Sequence, residues 1–481
     1  ASVNIDAKLV SSSSSAQKLD GAGGVVELQN GCACCSLADE MLASIDQILS
    51  SRSADDPLDA IVIELSGVAD PLAIQANWQQ ALVAGVPVTS KADVSQVVTV
   101  IDSSTFGTDW MTWDTAGERS GWTDEGENCS GQRKVPELLA EQVESADLIL
   151  MNKVDIAGGD QTKIATALAK RLNAKAFLEE TTFGKISPQK ILSNDYLTSV
   201  LESKEEGKCS NPGCGNPDCS SSHSHDHDHA SHADDKPAEE STSCSDPDYI
   251  DESESHTHSH THSHATSTDN LGIVNFVYKA SRPFNQKKLM TVLNTWPVPI
   301  KDNLDITLLD DMNAGKPIPT ENGSLIDNPF VGVLRSKGFC WFAPTRWTGA
   351  REDVWRHDTA MFWSHAGKHF GISSAGKWWD SISKEQMKKY FKTNKGEYER
   401  ILDEDFMTEE FGDRRQEIVF IGVNLLEEEI RQALDSCLVT ERGMKRYRQA
   451  LQNWELSVMG REHGGPSLFD VGSVDHMDVN K

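Results

Sequence analysis

Residues 1 to about 200 alternate short apolar runs with amphipathic segments, and that alternation leaves few architectures open. The runs are VVEL at 25–28, LDAIVIEL at 58–65, VSQVVTVID at 94–102, ADLILMNK at 146–153 and AKAFLE at 174–179. Strands this continuously apolar need cover on both faces, which a parallel sheet sandwiched between helices supplies. Helices are predicted at SLADEMLASIDQIL, PELLAEQVES and TKIATALAKRLN, where apolar residues recur three or four apart. The region is expected to be α/β.

Composition changes abruptly near Glu202. From there to Asn270 the chain is mostly Ser, Asp, Glu, His, Cys and Pro, so burial cannot offset the entropy of ordering it, and a disordered linker is expected. Order is predicted to resume with the strand-like LGIVNFVYKASRPF and the helical NQKKLMTVLNTW. Two more strand-like runs follow, FVGVLRSKGFCWFAP and QEIVFIGVNL, and then one helical run, LEEEIRQALDSCLVTERGMKRYRQALQNW. Strands and helices without strict alternation predict a separate α+β domain. The expected boundaries are 1–201 for the first domain, 202–270 for the linker, 271–460 for the second domain and 461–481 for a flexible tail. Trp341, Trp347, Trp355, Trp363, Trp378 and Trp379 read as core or partner surface rather than a cofactor box, because aromatic rings mainly serve burial.

Charge narrows the partners. With 45 Lys+Arg against 74 Asp+Glu the net charge is -29, which argues against nucleic acid or an anionic membrane and suits a protein that meets cations. No stretch of 18 apolar residues exists to span a bilayer. Ten cysteines are too few for a disulfide scaffold, and their clustering reads as reduced thiols in a reducing, intracellular compartment.

Three motifs carry chemistry. Asn152, Lys153 and Asp155 form N-K-x-D at the end of an apolar run. A carboxylate there accepts two hydrogen bonds from the N1 and N2 hydrogens of guanine, a match adenine cannot make, while Asn and Lys brace the ring. The end of a parallel strand is where ligands bind in open α/β sheets. In IELSGVADP, Glu64 is placed to hold a magnesium-bound water and the amide of Gly67 to approach a terminal phosphate; a plain strand end followed by a turn reads the same residues without function. Cys32, Cys34 and Cys35 form C-x-C-C, too cramped for a closed tetrahedral site, so an open, exchangeable metal site and a buried thiol cluster are the two readings. Soft sulfur favours zinc or copper(I), with cobalt a competing ion.

The linker adds ligands. Ten of the fifteen histidines lie between 223 and 264, chiefly His223, His225, His227, His229, His256, His258, His260, His262 and His264, with Cys209, Cys214 and Cys219 upstream. Near neutral pH much of this imidazole is unprotonated and able to bind zinc, nickel or cobalt, as an auxiliary reservoir, although a purely solvating spacer is the plainer reading. In the second domain His365 and His369 have the i, i+4 spacing of one helix face, with His357 nearby, but SHAGKHFG lacks the Glu of a zinc-protease motif and ordinary histidines are expected. GDRRQ, with Asp413, Arg414 and Arg415, reads as a structural turn or a docking surface.

ELQNGCACCSL, IELSGVADP, VVTVID, LLAEQVESADLILMNKVD, RPFN, LRSKGFCWFA and GDRRQEIVFIG follow one another in the order and spacing of the CobW-type metallochaperone GTPases, which this chain resembles over nearly its whole length outside the linker. The resemblance implies a P-loop-NTPase-like parallel sheet that binds GTP and Mg2+, followed by the family's C-terminal α+β domain. It also implies a C-x-C-C site for a transferred metal, and hydrolysis that drives delivery of Zn2+ to a client metalloprotein in the cytoplasm. Carried over residue by residue, it implies metal binding at Cys32, Cys34 and Cys35. Catalytic magnesium and phosphate roles fall to Glu64, Gly67 and Asp6, and guanine recognition to Asn152, Lys153 and Asp155.

Two departures accompany it. No G-x-x-x-x-G-K-[ST] occurs in this sequence, so a first strand and phosphate loop are expected to be missing from the chain, with weak GTP binding and slow hydrolysis as the consequence. The alternative function is then metal binding and buffering without GTPase activity. The opening ASVNIDAKLV resembles the family's N-E-x-G-x-x-x-I-D stretch, with Asp6 at its final Asp and Ser2 where a metal-binding Glu often stands.

Overall fold

A computed structural model describes residues 36–51, 58–65, 67–120, 122, 130–192, 271–321, 323, 328–343, 357–391, 395–459 and 477–478. Three strands, β1 (Val98–Asp102), β2 (Leu148–Asn152) and β3 (Phe177–Glu180), form a parallel sheet in the order β1-β2-β3. Val98 lies beside Leu148, and Leu148 beside Phe177. The central strand is apolar at four consecutive buried positions, as a parallel strand covered on both faces must be. Around the sheet lie helices α1 (Ser36–Ser50), α2 (Pro71–Ala84), α3 (Val135–Glu144) and α4 (Val154–Leu172). Asp70 caps α2 by accepting from the amides of Leu72 and Ala73, with Pro71 in the first turn where its missing N–H costs nothing. The α4 run is broken at Gly158, whose φ of 74° and ψ of 170° no helix contains.

The second sheet is antiparallel. It is built from β4 (Ile273–Ala280), β5 (Val333–Cys340), β6 (Thr359–Ala366), β7 (His369–Lys377), β8 (Gln416–Val423) and the two-residue β9 (Met477–Asp478), in the order β4-β8-β5-β6-β7-β9. Helices α5 (Gln286–Leu293), α6 (Ile306–Asn313), α7 (Glu427–Cys437) and α8 (Glu441–Met459) accompany it. The α/β and α+β architectures predicted from the sequence are both present.

The two sheets share apolar cover. One cluster joins Ile101, Ile149, Met151 and Leu168 to Leu271, Ile273, Leu309, Ala366, Ile421 and Val423. A second lies within the antiparallel half, where Trp296, Trp363, Phe420, Ile430 and Leu434 meet. Trp341, Trp363 and Trp378 are buried, as expected of core aromatics.

Two local expectations are corrected, and two alternatives are narrowed. LDAIVIEL is irregular chain, not a strand: Ile61 packs against the cluster of Met41, Ile45 and Trp78, while Val62 and Ile63 face solvent. The long helical run at 426–454 is two helices, parted at Leu438, whose extended backbone (φ -65°, ψ 152°) ends α7. His365 and His369 share no helix face; they sit on β6 and β7, facing Phe370 and Ala366 across a two-residue turn. Gly367 supplies the positive φ of that turn, and a Cβ there would strike the backbone carbonyl of Trp110. Asp413, Arg414 and Arg415 are buried and structural: Asp413 accepts from the amides of Trp379 and Asp380, and Arg414 donates to the His357 carbonyl. The expected linker 202–270 lies outside the described residues.

Candidate nucleotide site and its link to the antiparallel sheet

The N-K-x-D residues stand where β2 gives way to α4. Asn152 is the last residue of the strand, Lys153 adopts left-handed backbone (φ 60°, ψ 32°), and Asp155 lies in the first turn of α4. A non-glycine residue in that region is uncommon and marks a backbone held by its surroundings. One restraint is Asp102, paired with Asn152 across the sheet: its Oδ2 accepts from Lys153 Nζ at 2.6 Å, and its Oδ1 from the Ser104 amide at 3.0 Å. Partial burial raises the Asp102 pKa, but the bonds from Lys153 and Ser104 outweigh it, so the carboxyl titrates below the usual carboxylate range. The same bond moves the Lys153 ammonium upward. Both groups stay charged near neutrality.

A second loop closes on the first. After β3, Gly184 donates its amide to Asn152 Oδ1 at 3.1 Å, and Thr181 donates its amide to Met151 O at 2.9 Å. Asp155 is exposed, and its carboxylate has no ion pair or hydrogen bond among the described residues. Such an arrangement can accept from a guanine edge, with a solvated carboxylate whose two oxygens are open beside an amide whose oxygen is already engaged. Sequence reasoning did not assign Asp102 or the 181–185 turn to this site. Asp102 had a readable signal, since VVTVID ends in the acid that parallel register sets beside Asn152. The turn had none, because its tie to Asn152 is a tertiary hydrogen bond.

The segment carrying Glu64 and Gly67 is anchored differently. Glu64 and Gly67 are exposed, and a Cβ added to Gly67 would meet nothing within 4 Å, so the surrounding protein does not require glycine there. Just beyond, Gln142 of α3 donates Nε2 to the carbonyls of Gly67 and Ala69, at 2.9 and 3.1 Å. Arg133 bridges Asp70 and Glu141 of the same helix.

Helix α3 also grips the antiparallel sheet. Glu144 receives Arg335 Nε at 3.1 Å, Arg335 Nη2 at 3.3 Å and Lys337 Nζ at 2.7 Å. Arg335 side-chain exposure is 1% and that of Glu144 is 6%, so the pair is dry, and Arg335 Nη1 is further satisfied by Ser364 Oγ and the His365 carbonyl. Ser364 donates to Glu137 Oε1 at 2.8 Å. One helix thus holds the Gly67 segment by Gln142 and Glu141, and the C-terminal strands by Glu137 and Glu144.

Cys32, Cys34, Cys35 and Asp6 lie outside the described residues, as do His223, His225, His227, His229, His256, His258, His260, His262, His264, Cys209, Cys214 and Cys219. Among the described residues no group of three or more His, Cys, Asp or Glu side chains could hold a metal, and no helix is long and apolar enough to cross a membrane. His357 and His365 are buried; desolvation, reinforced by Arg414 and Arg335 respectively, pushes each imidazole down to about 3. They behave as the core histidines expected.

Residues 1–179 match the model of the CobW/HypB/UreG nucleotide-binding domain, and residues 319–438 that of the cobalamin synthesis protein CobW C-terminal domain. A Dictyostelium discoideum protein called zinc-regulated GTPase metalloprotein activator 1 is 26% identical over 424 residues, covering 87% of this chain and 66% of its own length. A Sinorhizobium protein called zinc chaperone CobW is 28% identical over 166 residues, covering 34% of this chain and 44% of its own. The matched region is therefore less than two thirds of either relative. The zinc-bound YjiA GTPase from E. coli aligns over 84% of this chain and 78% of its own at 16% identity, with a TM-score of 0.24.

Proposed function

The chain belongs to the CobW family of nucleotide-binding proteins, and from that premise we propose that it is a GTP-dependent metallochaperone that delivers zinc to client metalloproteins. The observation that carries the reading is the end of β2: Asp155 is solvated and unpartnered among the described residues, while Asn152 and Lys153 are held by Gly184 and Asp102. GTP bound there would present its N1 and N2 hydrogens to Asp155, and magnesium, supplying charge for the phosphates, would be met by Glu64. Gly67 leaves room for a phosphate to approach its amide. Zinc is the cargo, taken by Cys32, Cys34 and Cys35, with the histidine-rich segment as its reservoir. The names of the two relatives support both the nucleotide and the metal.

The coupling route that this reading favours is α3. A change in the Gly67 segment alters the carbonyls that Gln142 binds, and the same helix ends on Arg335 of β5. Isothermal titration with GTP and magnesium, before and after zinc loading, tests the proposal. Zinc should change GTP affinity, and GTP should change zinc affinity by the same factor. Equal GTP affinity in both states, with zinc bound, would contradict coupling and leave a metal-buffering protein.

A further inference from the structure

The turn after β3 carries an unusual residue. Thr182, Phe183, Gly184 and Lys185 make a β-turn closed by the Lys185 amide on the Thr182 carbonyl at 3.3 Å, and Thr181 Oγ1 donates to Lys185 O at 2.9 Å. Its two central residues have φ of 56° and 62°, the pair that defines a type I′ turn. Asn, Asp or Gly normally fill its first position, because a side chain with bulk at Cβ is strained there. Here the position holds Phe183, a residue that is 83% exposed. An isolated exposed phenyl needs no explanation. A phenyl that is exposed, in left-handed backbone and at a position suited to Asn is disfavoured three ways, and neither packing nor turn chemistry within this fold accounts for it.

Its location supplies the account. Among the described residues only Lys153, Phe183 and Asn424 are non-glycine residues with positive φ. Two of these three flank the same contact, since Gly184, next to Phe183, donates to Asn152, next to Lys153. Backbone held in sparsely populated regions concentrates where a ligand is clamped. Ile156, 68% exposed, adds a second apolar group immediately after Asp155. The edge thus offers an acid for the polar rim of a purine and apolar groups for its faces.

We infer that Phe183 is the stacking residue of the base site, laying its ring on the face of the guanine whose edge Asp155 reads. The inference rests on the GTP reading above. Base-on-aromatic stacking is lost when the ring is removed, and the alanine-scale loss of about 1–3 kcal/mol per base corresponds to an affinity change of about 5- to 150-fold.

The test uses the full chain and GTP with magnesium. Phe183→Asn suits the left-handed turn better than the native residue, so its urea midpoint should equal or exceed that of the wild type while GTP affinity falls about 5- to 150-fold. Phe183→Trp should keep the affinity and give an indole emission change on GTP addition beyond the wild-type response. Wild-type GTP affinity in Phe183→Asn, or Phe183→Trp that binds GTP with no added emission change, would overturn stacking while leaving the GTP reading intact. A wild-type chain that fails to prefer GTP over ATP would overturn the GTP reading, and stacking with it.

Discussion

The N-K-x-D end of the parallel sheet and the junction between α3 and the antiparallel sheet use the same residue types in opposite ways. At the edge, Lys153 and Asp102 pair at 2.6 Å with side-chain exposures of 49% and 31%, and Asp155 is exposed with no partner among the described residues. At the junction, Arg335 and Glu144 pair in a forked geometry with almost no exposure, and four Arg335 contacts are satisfied within the protein. The difference is dielectric: a solvated pair contributes little to stability and leaves its groups free for a ligand, whereas a dry pair is costly to break because either partner alone is stranded. Charge at the edge is therefore available for binding, and charge at the junction fixes how the two sheets meet.

Breaking the junction gives the largest effect. Arg335→Ala strands Glu144 with Lys337 alone and should cost about 3–5 kcal/mol, read as a lower urea midpoint. The double variant Arg335→Met with Glu144→Met should recover most of that, since neither charge is then buried unpaired. A single variant at wild-type stability would show that the pair does not hold the sheets together.

The next effect in size concerns pH. His365 lies against Trp296 and Phe370 beside Arg335, and burial followed by that guanidinium holds its pKa near 3, below the unfolded value of about 6.5. The unfolded chain takes up a proton below pH 6.5 that the folded one refuses. His365 thus contributes fully above pH 6.5, and its contribution declines by about 1.4 kcal/mol per pH unit as pH falls toward 3. Urea unfolding at pH 7.5, 6 and 5 should show the decline, and His365→Gln should reduce its slope. An unchanged slope would mean that His365 is protonated in the folded state.

The edge should barely register. Lys153→Ala removes one exposed ion pair and should leave Tm almost unchanged, because a solvated surface pair contributes little. A loss as large as that of Arg335→Ala would erase the contrast between the two regions.

Much of this was readable from the chain. The run LILMN followed by Lys153 and Asp155 announced a buried strand ending in N-K-x-D, because periodicity and motif are both local. LDAIVIEL has the same apolar character and is irregular chain with no ladder partner among the described residues, and no run of residues encodes such a partner alone. SHAGKHFG is the converse case. Two histidines four apart suit a helix face, yet Gly367 turns the chain back and pairs β6 with β7.

What the sequence determined by itself is therefore the local grammar: apolar strands, amphipathic helices, N-K-x-D at a strand end, C-x-C-C and the histidine-rich segment. Tertiary structure decided the rest. It set Asp102 beside Lys153, brought the Phe183 turn to Asn152 through one amide, and used α3 to join the Gly67 segment to Arg335. Those contacts pair residues 32, 51, 75 and 191 positions apart, and no periodicity within a short window specifies which distant group will satisfy a buried charge or an amide.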